Sequence, residues 1–413
     1  MQPPNRVMAY VHDAPGHESI RTRWRDPTLL AARGFTDVVV ADQMSGCLGL
    51  AMADVDLSEI RERIEAARAE GLSAWVMDDL LTLPAGFDGD VIAKTVELVE
   101  ALFDALPEVT GLVVRLGETF ESPRPWVERR DVFAYDLTGI LRALLEAVCI
   151  RRGKSLLIRL WTLGEEGLHT SPEAWVALRA GLGTWPDGAM VSIKHTRTDY
   201  WMYNDWNPHI ATLDVPFLIE FQAEREYEGI GLMPAYPAAE LLAGMAEMDN
   251  PNWQGYYLIP KGGGWSAPHA ADDRWPEANV EAVLAGRVDE ALCGIPALTR
   301  AVFYSEAWFD KHQRQWMPFE NWFRDDTFVP GACAGIANAL AADVALREAF
   351  MAERAEAVAA VPEAYAFMRD FAVFAEAMWA ALIEAAPLTR AQAKVIIRGR
   401  LEATPLGPLR VLD

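Results

Sequence analysis

The 413 residues exceed a typical single domain, and a 51% hydrophobic content allows a large buried core, which excludes a disordered chain. Sixty acidic against 37 basic side chains give a net charge of −23 with no contiguous basic run, so nucleic acid and anionic membranes are poor partners. Four scattered cysteines (Cys47, Cys149, Cys293, Cys333) with no CxxC pair argue against a disulfide framework and against a structural zinc site.

The chain opens MQPPNRVMAYVHD, which lacks a basic segment followed by an apolar one, and no stretch approaches the roughly 20 uninterrupted apolar residues of a membrane helix. The expected address is the cytoplasm. The first predicted strand is RVMAYVH (6–12), followed by TDVVVA (36–41), LSAWVM (72–77) and GLVVRL (111–116). SLLIRLW (155–161), MVSIKH (190–195), FLIEFQ (217–222) and GYYLIP (255–260) bring the total to eight. Amphipathic segments lie between them, among them 58–71 and 90–107, the second starting at an acidic residue and ending at Pro107 as helix-terminus rules expect. Strands alternating with helices imply a parallel sheet, and eight repeats over about 270 residues match a closed (β/α)8 TIM barrel. An open doubly wound sheet is the alternative. It would usually carry a Gly-rich phosphate loop after its first strand, and VHDAPGHES is not GxGxxG.

The barrel is predicted over residues 5–274 and a mostly helical region over 275–413, where strands give way to Ala- and Glu-rich periodic segments. Trp308, Trp316 and Trp322 recur there between charges. Such rings could line a sugar site, form a subunit interface in a homodimer, or anchor helices to the barrel.

Chemistry gathers where predicted strands end. The fourth runs into Arg115 and Glu118, then Glu121 and Trp126; the fifth carries Arg159 and Trp161. The sixth ends in Lys194 and His195 and reaches Arg197 and Asp199; the seventh passes Glu220 and reaches Glu226 and Tyr227. Catalytic groups of (β/α)8 enzymes sit at the C-terminal ends of different strands, so these side chains should share one pocket. Facing carboxylates suit glycosidic cleavage, in which one donates a proton and another activates water or attacks carbon. The neighbouring cations could hold a substrate carboxylate, or could be ion-pair partners that keep the carboxylates buried. His195 reads as a structural neighbour rather than a metal ligand, since no HxH or HExxH pattern accompanies it. His12, Asp13, Asp78 and Asp79 are weaker candidates at other strand ends. The Lys261–Gly264 run after the eighth strand permits close backbone approach to a ligand or is simply a loop.

The stretch from Lys194 to Gly229 resembles the glycoside hydrolase family 67 α-glucuronidases, or a distant branch of that superfamily. In that family a strand-six Lys precedes a catalytic Asp by five positions, as Lys194 precedes Asp199. The family's next segment reads Glu-Phe-Gln, three residues, Glu-Tyr and a later Gly, matched by Glu220-Phe221-Gln222, Glu226-Tyr227 and Gly229. The resemblance implies that Asp199 and Glu226 activate the attacking water. It implies that Arg159 binds a sugar carboxylate, and that Arg115 and Glu118 stand for the basic residue and general acid. The family spaces that last pair by four where this chain has three, which leaves Glu121, or no acid at all, as the other readings. The family's N-terminal β-rich domain has no counterpart before the first strand here, and His195-Thr196-Arg197-Thr198 replaces its Asn-Gly-Pro-type turn.

The expectation is an inverting glycoside hydrolase acting on an α-linked, acidic sugar of an oligosaccharide, without metal or cofactor. Glu118, Asp199 and Glu226 are its catalytic residues. Arg115, Arg159 and Lys194 meet the sugar carboxylate, and Trp161, His195, Arg197, Glu220 and Tyr227 are further substrate contacts. The alternatives are another barrel enzyme on sugars (isomerase, epimerase or lyase) and a non-catalytic carbohydrate-binding protein.

Overall fold

The computed structural model describes residues 4–11, 23–42, 56–79, 89–116, 130–161, 168–197, 200, 206–224, 236–260 and 274–293, and, beyond these, 390–404 with scattered positions from 355 to 384. Eight strands, β1 (Arg6–Ala9), β2 (Asp37–Ala41), β3 (Ser73–Asp79), β4 (Gly111–Arg115), β5 (Ser155–Arg159), β6 (Ala189–Lys194), β7 (Phe217–Gln222) and β8 (Trp253–Ile259), form a closed barrel in sequential order. Every neighbouring pair is parallel, including β8 on β1. All eight strands read from the sequence are present, with ends shifted by at most a few residues. Parallel strands covered on both faces are continuous apolar runs, and these runs are what the sequence displayed.

Alternation along each strand separates two apolar sets. Met8, Val39, Trp75, Met77, Val113, Leu157, Met190, Leu218 and Tyr257 fill the barrel interior. Their neighbours, such as Val7, Val38, Val76, Val114, Ile158, Ile193 and Ile219, face the surrounding helices. Those helices are α1 (Pro27–Ala32), α2 (Ser58–Ala69), α3 (Val91–Ala105), α4 (Arg130–Leu144), α5 (Pro172–Leu182), α6 (Pro237–Glu247) and α7 (Arg274–Ala285). Asp26, Asp90 and Ser171 cap α1, α3 and α5 by accepting first-turn N–H bonds. Between β6 and β7 the described residues hold a 3-10 turn, Pro208–Thr212, in place of an α-helix.

Helix α7 belongs to the barrel. It packs on α6, Asn279 accepts a bond from the Ala238 N–H at 3.1 Å, and Glu277 bridges to Arg33 of the first βα unit at 2.8 Å. The sequence-drawn boundary at 274/275 therefore falls at the start of the helix that closes the ring. The remaining C-terminal region, including Trp308, Trp316 and Trp322, lies for the most part outside the described residues.

The N-terminal end of the barrel is sealed by buried polar contacts. Asp37 accepts from Arg6 at 3.0 Å, Trp75 Nε1 at 2.7 Å and Thr36 Oγ1 at 2.6 Å. Gly255 makes the β8–β1 seam: its φ is +147°, and a Cβ there would stand 1.8 Å from the Arg6 carbonyl oxygen. No described helix is long and apolar enough to cross a membrane.

Candidate active site

At the C-terminal mouth, register and alternation decide which side chains meet. Arg115 pairs with Arg159, Arg159 with Ser192, Lys194 with Glu220, and Glu220 with Tyr257. Arg115 and Arg159 lie two residues beyond the interior positions Val113 and Leu157. Ser192 and Lys194 follow Met190, and Glu220 follows Leu218. All five side chains therefore face the barrel axis, and all are buried.

Glu220 is the hub. Its Oε1 accepts from Arg159 Nε at 2.9 Å and Ser192 Oγ at 2.6 Å; its Oε2 accepts from Arg159 Nη2 at 2.7 Å and the Tyr200 hydroxyl at 3.2 Å. Burial alone would raise the Glu220 pKa. The charge and hydrogen bonds of Arg159, the Lys194 charge and the Ser192 hydroxyl outweigh it and hold the carboxyl at about 2. Glu220 is thus a permanent anion. Its two oxygens are spent within the protein, so the sequence expectation of a substrate contact meets a group at 0% exposure with another task.

Arg159 is equally committed. Two of its nitrogens are on Glu220, and its guanidinium carbon lies 5.8 Å from the Tyr10 ring centre and 5.4 Å from that of Tyr257. The two tyrosines stack at 5.5 Å, and the Tyr10 hydroxyl donates to Asp42 Oδ2 at 2.7 Å. Asp42 Oδ1 in turn lies 3.7 Å from Arg115 Nη2. This floor spans β1, β2, β4, β5, β6, β7 and β8.

Above it, the Lys194 ammonium sits 3.4 Å from the Trp161 ring centre and 4.6 Å from that of Tyr200. Trp161 therefore meets a protein cation with the ring that the sequence assigned to substrate. His195 is buried; its ring lies 5.7 Å from that of Tyr200 and 5.5 Å from that of Phe221, while its Nδ1 lies 3.2 Å from the Glu220 carbonyl. That is a packing position. Arg197 is exposed. Glu118, Glu121, Asp199, Glu226 and Tyr227 lie outside the described residues, as do His12, Asp13 and the Lys261–Gly264 run. By chain position Glu118 follows the end of β4 by three residues, Asp199 the end of β6 by five and Glu226 the end of β7 by four.

Sequence reasoning missed Tyr10, Asp42, Ser192, Tyr200 and Tyr257. Counting inner-face positions back from each charged strand end would have found Ser192 and Tyr257; Asp42 follows a register shift in β2 that no such count reveals. His169 had no sequence signal at all. It is buried, its ring lies 4.5 Å from that of Trp161, and both ring nitrogens lack a hydrogen-bond partner. Burial first, and then the nearby Lys194 charge, lower its pKa to about 3, so it is a neutral imidazole. Among the described residues no group of three His, Cys, Asp or Glu is arranged to hold a metal ion.

No protein-family model matches this sequence, and no curated protein does. Solved structures similar to it include a D-psicose 3-epimerase with D-tagatose from Clostridium cellulolyticum H10, at 12% identity and a TM-score of 0.40 over 68% of this chain and 97% of that one. A glycoside hydrolase family 5 enzyme from Prevotella bryantii B14 matches at 17% identity and a TM-score of 0.37, over 56% and 77% of the two chains. An O-GlcNAc hydrolase from Thermobaculum terrenum matches at 11% and 0.40, over 97% and 87%.

Proposed function

We propose that this chain is a glycoside hydrolase that removes an α-linked uronic acid from an oligosaccharide with inversion. What supports the reading is one arrangement. Arg115 pairs in register with Arg159, and Lys194 with Glu220, at the C-terminal mouth, and in the sequence β4, β6 and β7 are followed within a few residues by Glu118, Asp199 and Glu226. A mouth that concentrates fixed positive charge beside carboxylates suits an anionic sugar whose bond is broken by acid and base.

In this mechanism Glu118 protonates the leaving oxygen. Asp199 and Glu226 hold and deprotonate water on the opposite face of the ring, an inverting pair needing about 6.5–9.5 Å between acid and base. The sugar carboxylate is met by Arg115 and Lys194. Arg159, with two nitrogens on Glu220, contributes mainly its charge and the shape of the floor.

The test is proton NMR of short oligosaccharides, with and without uronic acid, incubated with wild type and Asp199→Asn. Free uronic acid appearing first as the β-anomer, and absent in the variant, is the expected result. Release of neutral sugars alone would remove the carboxylate-clamp assignment. No release from any substrate would remove the hydrolase reading in favour of an isomerase, a lyase or a binding protein.

A further inference from the structure

Asn207 joins three segments through one side chain. Its Nδ2 donates to the His169 carbonyl at 2.6 Å and to the Lys194 carbonyl at 3.2 Å, and its Oδ1 accepts from the His209 N–H at 3.1 Å. Its backbone N–H donates to the His195 carbonyl at 2.9 Å. The residue is fully buried. Its partners fix which way the amide points, because exchanging nitrogen and oxygen would set two carbonyls against an acceptor and an N–H against a donor. One amide thus ties the turn before α5, the end of β6 and the 3-10 turn that precedes β7.

Two features of the mouth meet at this clamp. The chain that leaves β6 comes back to the point of departure: Thr196 and Trp206 form an antiparallel bridge, and Trp206 packs its ring where any Cβ on Gly244 of α6 would collide with it. The side chains of two clamped residues also meet on one ring. The His169 imidazole lies 4.5 Å from the Trp161 ring centre, and the Lys194 ammonium 3.4 Å from it. Asn207 joins the backbones of this pair, and Trp161 joins their side chains.

We propose that Asn207 is a positioning residue, whose amide holds the turn carrying His169 on the end of β6 and so sets the geometry of the strand-five and strand-six side of the mouth. Its consequence for catalysis rests on the hydrolase reading above, in which Asp199 follows Lys194 by five residues in the sequence; the clamp itself does not. Asn250 is the matched control. Its Nδ2 likewise donates to two carbonyls, of Ile210 and Leu213, both at 3.0 Å, and its Oδ1 accepts from the Asn252 N–H at 3.0 Å. It ties down the same connection at the opposite end of the barrel, just before β8.

The experiment uses the full chain carrying histidine labelled with 13C at Cε1, which gives seven signals because the sequence has seven histidines. The His169 signal is assigned by its loss in His169→Phe. In wild type it should show an Overhauser contact to the Trp161 indole, and the Asn207 side-chain N–H protons should resist exchange with deuterated water for hours. Absence of the contact, or exchange within minutes, would overturn the proposal without any variant. Asn207→Ser keeps an N-cap for the 3-10 turn and removes the amide donor. The His169 signal should then move and lose its indole contact, whereas Asn250→Ser should leave it in place. A His169 signal unmoved in a folded Asn207→Ser protein, or moved equally by Asn250→Ser, would overturn the positioning role.

Kinetics on an oligosaccharide bearing a uronic acid separate the two readings. Asn207→Ser should lower kcat by about 10²-fold with KM little changed, the scale of a misplacement of about 1 Å at the reacting groups, and Asn250→Ser should keep the wild-type kcat. An unchanged kcat in an Asn207→Ser protein whose His169 signal has moved would defeat the positioning role. Wild type without turnover would defeat the hydrolase reading instead, and the histidine signal would still decide the clamp.

Discussion

Arg159 and Glu220 meet in a parallel two-point pair although β5 and β7 are not neighbours; β6 passes between them and contributes Ser192 to the same carboxylate. Both side chains are at or below 5% exposure. Two charges so deeply placed are costly to bring out of water, and their attraction and shared hydrogen bonds offset that cost only while both are present. Glu220→Leu should therefore lose about 3–5 kcal/mol by leaving an uncompensated guanidinium. The double variant Arg159→Met/Glu220→Leu should be less destabilised than Glu220→Leu alone. Urea unfolding of the two single variants and the double gives the coupling directly, and additive losses would show that the pair is not a unit.

The seam of the barrel makes a second, separable prediction. Gly255 has positive φ and no room for a side chain, the obstacle being the Arg6 carbonyl on the neighbouring strand. Gly34 has φ +86° but open space around a would-be Cβ. Gly255→Ala combines backbone strain with a steric clash that only opening the β1–β8 ladder relieves, so a loss of about 4 kcal/mol or more, or failure to fold, is expected. Gly34→Ala pays the conformational term alone, about 1 kcal/mol. Equal melting temperatures for the two variants would contradict this account of how the barrel closes.

Much of this architecture was legible because a parallel barrel writes itself as apolar runs that end in charge. GLVVR, SLLIR and FLIEFQ are buried strands whose polar ends mark the mouth. Partner choice was not legible. Arg159 and Glu220 are 61 residues apart, and only the register of three strands places the fork on the carboxylate. The aromatic floor was hidden for a different reason: Tyr10 and Tyr257 look like ordinary strand residues until alternation assigns them to the interior. Helix α7 was read with the C-terminal region because its composition resembles that of the segments after it, whereas its contacts to Ala238 and Arg33 tie it to the barrel.

His169 sets the acid limb of the stability curve. Its folded pKa of about 3 lies well below its ordinary value near 6.5, chiefly through burial and next through the Lys194 charge, with Glu220 opposing and His209 adding to the depression. Between those two pH values the unfolded chain binds a proton that the folded chain refuses, so stability falls as pH drops from about 6.5 toward 3. The slope for one such group approaches ~1.4 kcal/mol per pH unit. Glu220 acts lower down: its contribution is complete above the ordinary carboxylate pKa near 4.5 and is lost as pH falls toward 2. Urea midpoints from pH 7 to 4 should therefore decline in wild type and decline less in His169→Phe. The remainder of the slope would belong to His209, whose pKa burial also lowers, and, below about pH 4.5, to Glu220. Parallel curves for the two proteins would assign the acid limb elsewhere.

The proton donor of the proposed hydrolysis is decided by leaving-group chemistry. Glu118 and Glu121 both follow β4, and sequence position does not choose between them. A general acid matters in proportion to the basicity of the departing oxygen: a sugar alkoxide needs the proton, whereas a nitrophenolate leaves without it. Replacing the true acid by Gln should thus slow release from an oligosaccharide by about 10²–10⁴-fold while a 4-nitrophenyl uronide is cleaved at nearly the wild-type rate. A residue that only shapes the pocket would slow both substrates together. Asp199→Asn should do the same from the other side of the ring, since water must be activated whatever the leaving group. Kinetics of Glu118→Gln and Glu121→Gln on the two substrates therefore identify the acid by a selective loss, and Glu118→Gln should be the variant that shows it. If Glu121→Gln alone shows the selective loss, the acid is three residues further along the sequence, and the rest of the mechanism keeps its form. If neither does, the carboxylate-pair mechanism loses its donor and the hydrolase reading goes with it.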